Sequence, residues 1–176
     1  MKTVAYFVLT AIGGAAVLGG YAYGISTHAE QTDLLWGTIP ESVRGIYSLF
    51  MFPAALGYLV PFAYFLVSPW EELRLGGRPI FQRLLSINIV FLGSAALWMP
   101  MSWAALDTSN QALFWPIQGV LAVTGASALV FTLLLARLEA PPRPRFHRTA
   151  LWTSVFLVCQ CGIFDALLWP RFFVIG

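Results

Sequence analysis

Charged residues are scarce in this chain of 176 residues, where Asp, Glu, Lys and Arg together make up 10% and apolar residues make up 59%. The mean hydropathy is correspondingly high, at +0.75. A soluble globule of this size needs far more polar side chains to cover its surface, so the composition excludes a soluble fold. The formal net charge is only +2, and we expect no nucleic-acid partner.

Residues that bind metals or attack substrates are also few, since the chain has two cysteines and two histidines. Cys159 and Cys161 are two positions apart, so on a helix their side chains point about 200° apart and cannot share a metal ion. No serine or cysteine is matched with a histidine and a carboxylate at one depth, and no glycine loop has the context of a phosphate site. We therefore predict no metal site and no nucleophilic triad.

The rest of the chain consists of five long apolar runs, at residues 4–23, 45–67, 84–103, 113–136 and 150–169. A helix needs about 20 residues to cross a hydrocarbon core of about 30 Å. The runs are apolar on all sides, whereas strands of a membrane barrel alternate in polarity over about ten residues. We predict an all-α polytopic membrane protein in which residues 1–176 form a single domain, one bundle of five transmembrane helices with short loops. The first run is longer than the apolar region of a secretory signal, so we expect it to be a retained helix.

The basic residues fall on one side of this predicted bundle. Eight lie at the N-terminus or in the second and fourth connections, namely Lys2, Arg74, Arg78, Arg83, Arg137, Arg143, Arg145 and Arg148, against Arg44 and Arg171 on the other side. Short cytoplasmic loops carry the excess of Lys and Arg, so we expect a cytoplasmic (or matrix or stromal) N-terminus and an exterior C-terminus. This map puts His28 outside and His147 inside, which excludes a haem held by both histidines.

Small residues four positions apart let helices approach closely in lipid. Such pairs occur in the first run, as Ala15/Gly19, Ala16/Gly20 and Gly20/Gly24, and in the fourth, as Ala122/Ala126 and Thr124/Ala128. These faces predict contacts either inside the bundle or with a protein partner, and the sequence leaves both open.

Connections carry their own signals. In SPWEELRLGG, residues 68–77, Ser68 and Glu71 have the spacing of a capping box and Gly76-Gly77 that of a helix end, which predicts a short interfacial helix,. Thr27 with Glu30 and Thr38 with Glu41 repeat the capping-box spacing, and the connection between them is expected to be ordered.

Asp165 is the ionisable residue inside the fifth run, in the segment CQCGIFDALLWPR at residues 159–171. A charged side chain exposed to lipid at the bilayer centre costs about 2.5–3.5 kcal/mol on insertion scales, so Asp165 should face protein or water. Its expected partners are Arg171, Arg44 or an indole N–H from Trp98 or Trp103. A structural role and a role in binding a ligand or a proton both remain open. Asn88, Gln118 and Gln160 are further polar groups in the runs that need partners.

Tryptophans gather at the predicted outer boundary. Five of the seven lie there, Trp36, Trp98, Trp103, Trp115 and Trp169, and two lie at the inner boundary, Trp70 and Trp152. An aromatic belt marks both faces of a membrane protein. The outer excess is consistent either with the belt alone or with a belt and an aromatic-rimmed cavity. The candidate ligand-binding residues are therefore Asp165, Trp98, Trp103, Trp115 and Trp169.

The stretch IYSLFMFPAALGYLV, residues 46–60, resembles the second helix of the TspO/translocator family, and the size, five runs and aromatic content of the chain are also similar to that family. The resemblance implies a helical bundle that binds tetrapyrroles and sterols. The family's paired-tryptophan and proline motif before that helix is missing, as is its proline-tyrosine and asparagine pattern in later helices. No functional residue is therefore carried over.

Two classes of function follow. The first is a non-enzymatic membrane protein, either an accessory subunit of a larger complex or a binder of an apolar ligand such as a lipid, quinone, sterol or pigment at the outer aromatic end. The second is a small membrane enzyme, of isomerase or hydrolase type, in which Asp165 acts as acid or base on an apolar substrate. The odd number of runs and the lack of an internal repeat weaken transport.

Overall fold

A computed structural model describes residues 1–175 and has five helices that are long and apolar enough to cross a membrane. They are α1 (Lys2–Thr27), α2 (Glu41–Val67), α3 (Phe81–Asp107), α4 (Phe114–Ala136) and α5 (Pro144–Phe172). Short 3₁₀ turns, Thr32–Trp36 and Gln111–Leu113, lie in the first and third connections. The predicted all-α class and the five apolar helices are confirmed, and the first, second, third and fifth helices extend beyond the predicted runs.

The helices are arranged as a ring in which α1 packs along α3, α3 along α4, α4 along α5, and α5 along α2. Contact between α2 and α1, which would close the ring, is slight. Their ring–ring contacts lie near the start of α1, where Tyr6 and Phe7 meet Phe62 and Tyr6 meets Phe65. The bundle is therefore closed between α1 and α2 mainly at one end.

The two ends of the bundle have different cores. The arginine end comprises the N-terminus and the connections 68–80 and 137–143, and its buried cluster includes Tyr6, Tyr64, Phe65 and Trp70. The tryptophan end comprises the connections 28–40 and 108–113 and residues 173–175, and its buried cluster includes Ile39, Ile117, Trp169 and Phe173. Aromatic rings thus fill both ends, and a smaller cluster around Phe91 and Leu157 joins them.

The small-residue faces divide between the interior and the surface. Thr124 and Ala128 on α4 are buried, and so is Gly24 on α1, which lies against the indole of Trp103. The pairs Ala15/Gly19 and Ala122/Ala126 are exposed. Some of the small residues therefore lie where α1 and α4 pack inside the bundle, while the others lie on its outer surface.

A polar cluster ties three helices together near the middle of the bundle. The amide of buried Asn88 on α3 donates to Thr10 Oγ1 on α1 at 2.8 Å, and the hydroxyl of Tyr58 on α2 donates to Asn88 Oδ1 at 2.8 Å. The prediction that Asn88 needs partners is confirmed. Because buried polar groups in a membrane bundle are satisfied by neighbouring helices, this cluster fixes the relative depth of α1, α2 and α3.

Replacing Asn88 with leucine should destabilise the protein by about 1–2 kcal/mol, because Tyr58 and Thr10 both lose this partner. The measurement is the free energy of unfolding in mixed detergent micelles as the denaturing detergent increases. Gln82→Leu, at an exposed position on the same helix, is the matched control and should change the free energy little. Equal losses in the two variants would contradict a role for the cluster.

The predicted helix in residues 68–77 is wrong. The Ser68 hydroxyl donates to the carbonyl of Tyr64 at 2.7 Å instead of capping a new helix. The chain then forms a hairpin in which Arg74–Leu75 pairs with Arg78–Pro79. Gly76 and Gly77, with φ of +60° and +71°, form its turn. Two successive residues with positive φ suit a two-residue hairpin turn better than a helix end, which explains the error.

The two capping boxes of the first connection are also wrong. Thr27 donates to the carbonyl of Tyr23 at 2.8 Å, and Thr38 donates to the carbonyl of Phe172 at 3.2 Å. Helix α2 begins after Pro40 without a side-chain cap. Both hydroxyls are thus used in other contacts, and the second one ties the connection to the end of α5.

Candidate functional site

The fifth helix changes type where Asp165 lies. It is α-helical over Pro144–Val158, a π-helix over Cys159–Leu168 and α-helical again over Trp169–Phe172. In a π-helix each N–H bonds the carbonyl five residues before it, a rare arrangement that is frequent at functional sites. The widened segment packs on α4, where a Cβ added to Gly125 would lie 2.8 Å from the carbonyl oxygen of Cys161.

The π-helix gives Asp165 a partner from its own helix. The amide of Gln160, five residues earlier, donates to Asp165 Oδ1 at 2.9 Å. In an α-helix, residues five apart are about 140° apart around the axis and do not meet. The hydroxyl of Tyr47 on α2 donates to the same oxygen. Asp165 is thus bonded to two neutral donors.

The partners predicted for Asp165 are therefore wrong. Arg44 instead donates to the carbonyl of Ile39 and to Asp33 Oδ1, each at 3.0 Å, and Arg171 is exposed. The indole nitrogens of Trp98 and Trp103 are buried and have no hydrogen-bond partner among residues 1–175. The prediction failed because α-helical spacing hid Gln160, and because it passed over the tyrosine on α2.

One polar atom beside the carboxyl group is left over. Gln160 is only 5% exposed, and its Oε1 has no hydrogen-bond partner in the described chain. Both donors to Asp165 use Oδ1, and within residues 1–175 no donor bonds Oδ2. Burying an acceptor without a partner costs about 1–3 kcal/mol. The site therefore has unused capacity to accept hydrogen bonds.

Aromatic rings gather at the same end of the bundle as this polar group. Trp98 on α3 lies 5.4 Å from Tyr21 on α1 and 5.6 Å from Trp169 on α5, measured between ring centroids. We call Tyr21, Tyr47, Trp98, Gln160, Asp165 and Trp169 the outer site. These side chains come from four of the five helices.

The first connection covers the outer site. Trp36 stands edge-on to Tyr47 at 5.5 Å, and the indole of Trp169 donates to the carbonyl of Leu35 at 2.8 Å. The backbone N–H of Thr38 donates to the carbonyl of Phe172, also at 2.8 Å. Residues 32–39, which we call the strap, are thus fastened to the end of α5, as expected for an ordered connection.

Of the five predicted site residues, Trp98 and Trp169 meet each other, and Asp165 lies four residues before Trp169 on the same helix. Trp103 is buried outside this group and stacks on His28 with 4.0 Å between centroids. Trp115 is 73% exposed on the surface of α4 and takes no part. Residues that were predicted to lie at the same depth in the membrane therefore lie on different faces of the bundle.

The residues that sequence reasoning missed are Tyr21 and Tyr47, while Gln160 was noted only as a polar group in need of a partner. A signal for the tyrosines exists, since a buried Tyr hydroxyl usually has a hydrogen-bond partner. A tyrosine within an apolar helix therefore indicates a polar neighbour, which for Tyr47 is Asp165.

Within residues 1–175, no three side chains of His, Cys, Asp or Glu are grouped so as to hold a metal ion. Asp165, Tyr47 and Gln160 instead form a hydrogen-bonded group that can orient a ligand or exchange a proton. Comparison of the chain with protein-family models, curated proteins and solved structures gave no match, so the resemblance of residues 46–60 to the TspO/translocator family stays a prediction.

Proposed function

We propose that this chain is a multi-pass integral membrane protein that crosses the bilayer five times and binds an apolar ligand with a small polar group in the outer site. The observation that carries the proposal is the unpartnered Oε1 of Gln160 beside Asp165, at the end of the bundle where the aromatic rings of the outer site pack together. Ligand sites are mostly apolar with a few placed polar groups, and this site has that composition. An ionisable side chain within a span is itself an indicator of function.

The slight contact between α1 and α2 supports an entry route from the bilayer. Tyr21 on α1 and Tyr47 on α2 belong to the outer site, and the ring contacts between these helices lie at the opposite end. An apolar ligand dissolved in lipid would reach Asp165 by passing between them. The strap separates the same site from the aqueous side.

Four neutral or anionic probes test the proposal: a short-chain quinone, a sterol, a tetrapyrrole and a fatty acid, each titrated against the purified protein in detergent. We expect at least one to quench tryptophan fluorescence saturably, because Trp98 and Trp169 line the site. Trp98→Phe should weaken that binding about threefold to tenfold, since an aromatic contact contributes about 0.5–1.5 kcal/mol. Trp152→Phe, which removes a 71% exposed tryptophan near the arginine end, should leave the affinity unchanged.

Extraction of the freshly purified protein, followed by mass spectrometry, completes the test. A co-purified apolar compound that is lost in the Asp165→Asn variant would support binding at the outer site. The proposal fails if no ligand is retained and none of the probes, including the cationic one described below, binds saturably.

The orientation forms part of the proposal. Eight basic residues lie at the arginine end: Lys2, the four arginines of the connections 68–80 and 137–143, and Arg83, Arg145 and Arg148 near the starts of α3 and α5. Positive-inside bias therefore directs the N-terminus to the cytoplasm, matrix or stroma and the C-terminus outward. The outer site then lies in the exterior half of the bilayer. A fluorescent protein fused after Gly176 should stay dark on export while alkaline phosphatase at the same position is active. The same fluorescent protein fused before Met1 is the control and should fluoresce, and the reverse pattern would overturn this orientation.

Assembly with other chains remains a second proposal, favoured by the exposed pairs Ala15/Gly19 and Ala122/Ala126. Small residues at such spacing allow a partner helix to approach closely. The mass of the complex in mild detergent tests this. A monomer in both mild detergent and lipid nanodiscs would argue against an accessory subunit.

An enzymatic role is a third proposal, favoured by the hydrogen bond from Tyr47 to Asp165. A carboxyl group that accepts a hydrogen bond from a phenol can donate a proton to an apolar substrate or accept a proton from it. The test is to incubate the protein with the compound that it binds and to measure the mass of any product. A product of changed mass indicates an enzyme, and an unchanged compound indicates a binding protein. Turnover that persists in Asp165→Asn would exclude Asp165 as acid or base.

A further inference from the structure

Asp165 is a carboxyl group without a cation. The salt-bridge contacts among residues 1–175 join Lys2 with Glu71, His28 with Asp107 and Arg44 with Asp33, and none includes Asp165. Its two partners, a phenol and an amide, carry no charge. A carboxylate buried without a countercharge is costly in a protein interior and more so within a bilayer. A ligand that supplies the positive charge would offset that cost.

The unused atoms specify hydrogen-bond donors. Asp165 Oδ2 accepts no hydrogen bond from the described residues, and Asp165 keeps part of its surface accessible. Gln160 Oε1 also lacks a partner, and it lies beside Asp165 because the amide nitrogen on the same carbon is 2.9 Å from Oδ1. Two unused acceptors on neighbouring side chains favour a group that carries several N–H donors. A carbonyl, carboxylate or phosphate would satisfy neither acceptor, although the indole N–H of Trp98 is also unpartnered in the outer site.

The aromatic rings fit the same chemistry. Tyr47, bonded to the carboxyl group, meets Trp36 at 5.5 Å and Phe164 at 5.2 Å, and Tyr21 and Trp169 flank Trp98. The faces of aromatic rings attract cations, most strongly when water is excluded. An ammonium group at Asp165 would therefore be stabilised by charge and by hydrogen bonds, at an end of the bundle that is rich in aromatic rings.

We propose that the outer site binds a lipophilic ammonium, an apolar body carrying one protonated primary or secondary amine. The ammonium donates to Asp165 Oδ2 and Gln160 Oε1, and the apolar body extends toward the gap between α1 and α2. This assignment depends on the ligand site proposed above and adds the charge of the ligand to it.

A matched pair of fluorescent probes tests the charge. 1-Pyrenemethylamine is cationic at neutral pH, and 1-pyrenemethanol has the same apolar body with a neutral hydroxyl group. Energy transfer from tryptophan to pyrene reports binding to the protein in nanodiscs of zwitterionic lipid. We expect the amine to bind at least about tenfold more tightly than the alcohol, a difference of about 1.4 kcal/mol.

Variants locate the preference. Asp165→Asn should reduce the ratio of the two affinities to about one, and Asp165→Glu should retain most of it. Glu30→Gln, which removes an exposed carboxylate at the same end of the bundle, should leave the ratio unchanged. If Asp165→Asn fails to fold, the wild-type ratio and Gln160→Leu, which should lower that ratio, still decide the outcome.

The results separate this assignment from the proposed function. Equal saturable binding of both probes would overturn the ammonium assignment while leaving an apolar-ligand site in place. An amine preference that persists in Asp165→Asn would also overturn the assignment, because Asp165 would not be the group that recognises charge. Failure of both probes to saturate would overturn the assignment too, and the quinone, sterol, tetrapyrrole and fatty-acid titrations then judge the site independently.

Discussion

Replacing Gly57 with alanine should destabilise the protein by about 3 kcal/mol, near the top of the range for overpacking a well-packed interface. A Cβ at this position would lie 2.5 Å from the carbonyl oxygen of Thr153 and 2.9 Å from the backbone nitrogen of Leu157. Both atoms belong to the backbone of α5, which cannot move aside as the end of a flexible side chain can. Helices α2 and α5 would have to separate, and Tyr47 on α2 would be displaced from Asp165 on α5.

The matched control is Gly45→Ala on the same helix, where an added Cβ meets nothing within 4 Å. Alanine is favoured over glycine in a helix by about 0.5–1 kcal/mol, so this variant should be neutral or slightly more stable. The measurement is the free energy of unfolding in mixed detergent micelles for both variants. Equal stabilities of the two alanine variants would show that α2 and α5 are not held as closely as the structure describes.

The sequence predicted the five helices because their evidence is contained in each run. In lipid, a run of twenty or more apolar residues must form a helix, because a helix pairs its backbone N–H and C=O groups with each other. The hairpin at Arg74–Leu75 and Arg78–Pro79 was missed because Gly76-Gly77 was assigned to a helix end and because the hairpin also has contacts with a distant residue. The carboxylate of Glu139 accepts from the N–H of Gly77 at 3.2 Å, and the N–H of Glu139 donates to the carbonyl of Arg74 at 3.0 Å. Local capping rules contain no information about such a contact.

The outer site was predictable in part for the same reason. Asp165 could be identified because a carboxyl group within an apolar run costs free energy on membrane insertion whichever face of the helix it occupies. Its partner Gln160 could not, since the periodicity of an α-helix places residues five apart on different faces, and only the π-helix brings them together. Trp115 was grouped with Trp98 and Trp169 by depth alone. Depth follows from counting residues, whereas the face toward the interior follows from packing.

The π-helix links the packing of α5 to the chemistry of the outer site. Gly125 on α4 lets the carbonyl of Cys161 approach closely, so the widened segment can pack against α4. That segment then places Gln160 and Asp165 side by side, facing Tyr47. The extra residue per turn therefore gives the site two adjacent hydrogen-bonding groups that a regular helix would have separated.

Gly37→Ala is expected to detach the strap from the end of α5. Gly37 has φ of +52°, and an added Cβ would lie 2.0 Å from the carbonyl oxygen of Phe172. That oxygen accepts hydrogen bonds from the N–H and the hydroxyl of Thr38, so alanine would break the contacts that hold the strap. A non-glycine residue in such a conformation costs about 1–3 kcal/mol before the clash is counted.

Gly76→Ala is the control that separates the steric clash from the cost of a positive φ. Gly76 has a similar φ of +60°, but nothing lies within 4 Å of an added Cβ. Hydrogen exchange of residues 32–39 should rise at least tenfold in Gly37→Ala and stay at the wild-type rate in Gly76→Ala. Unchanged exchange in Gly37→Ala would contradict a fastened strap. Because the strap carries Trp36 onto Tyr47, its release should also open the outer site to water, weakening any interaction of Asp165 with a cation in proportion to the higher local dielectric constant. The affinity for 1-pyrenemethylamine should therefore fall in Gly37→Ala and remain unchanged in Gly76→Ala. Such a result would show that recognition of the positive charge depends on the strap being fastened over the outer site.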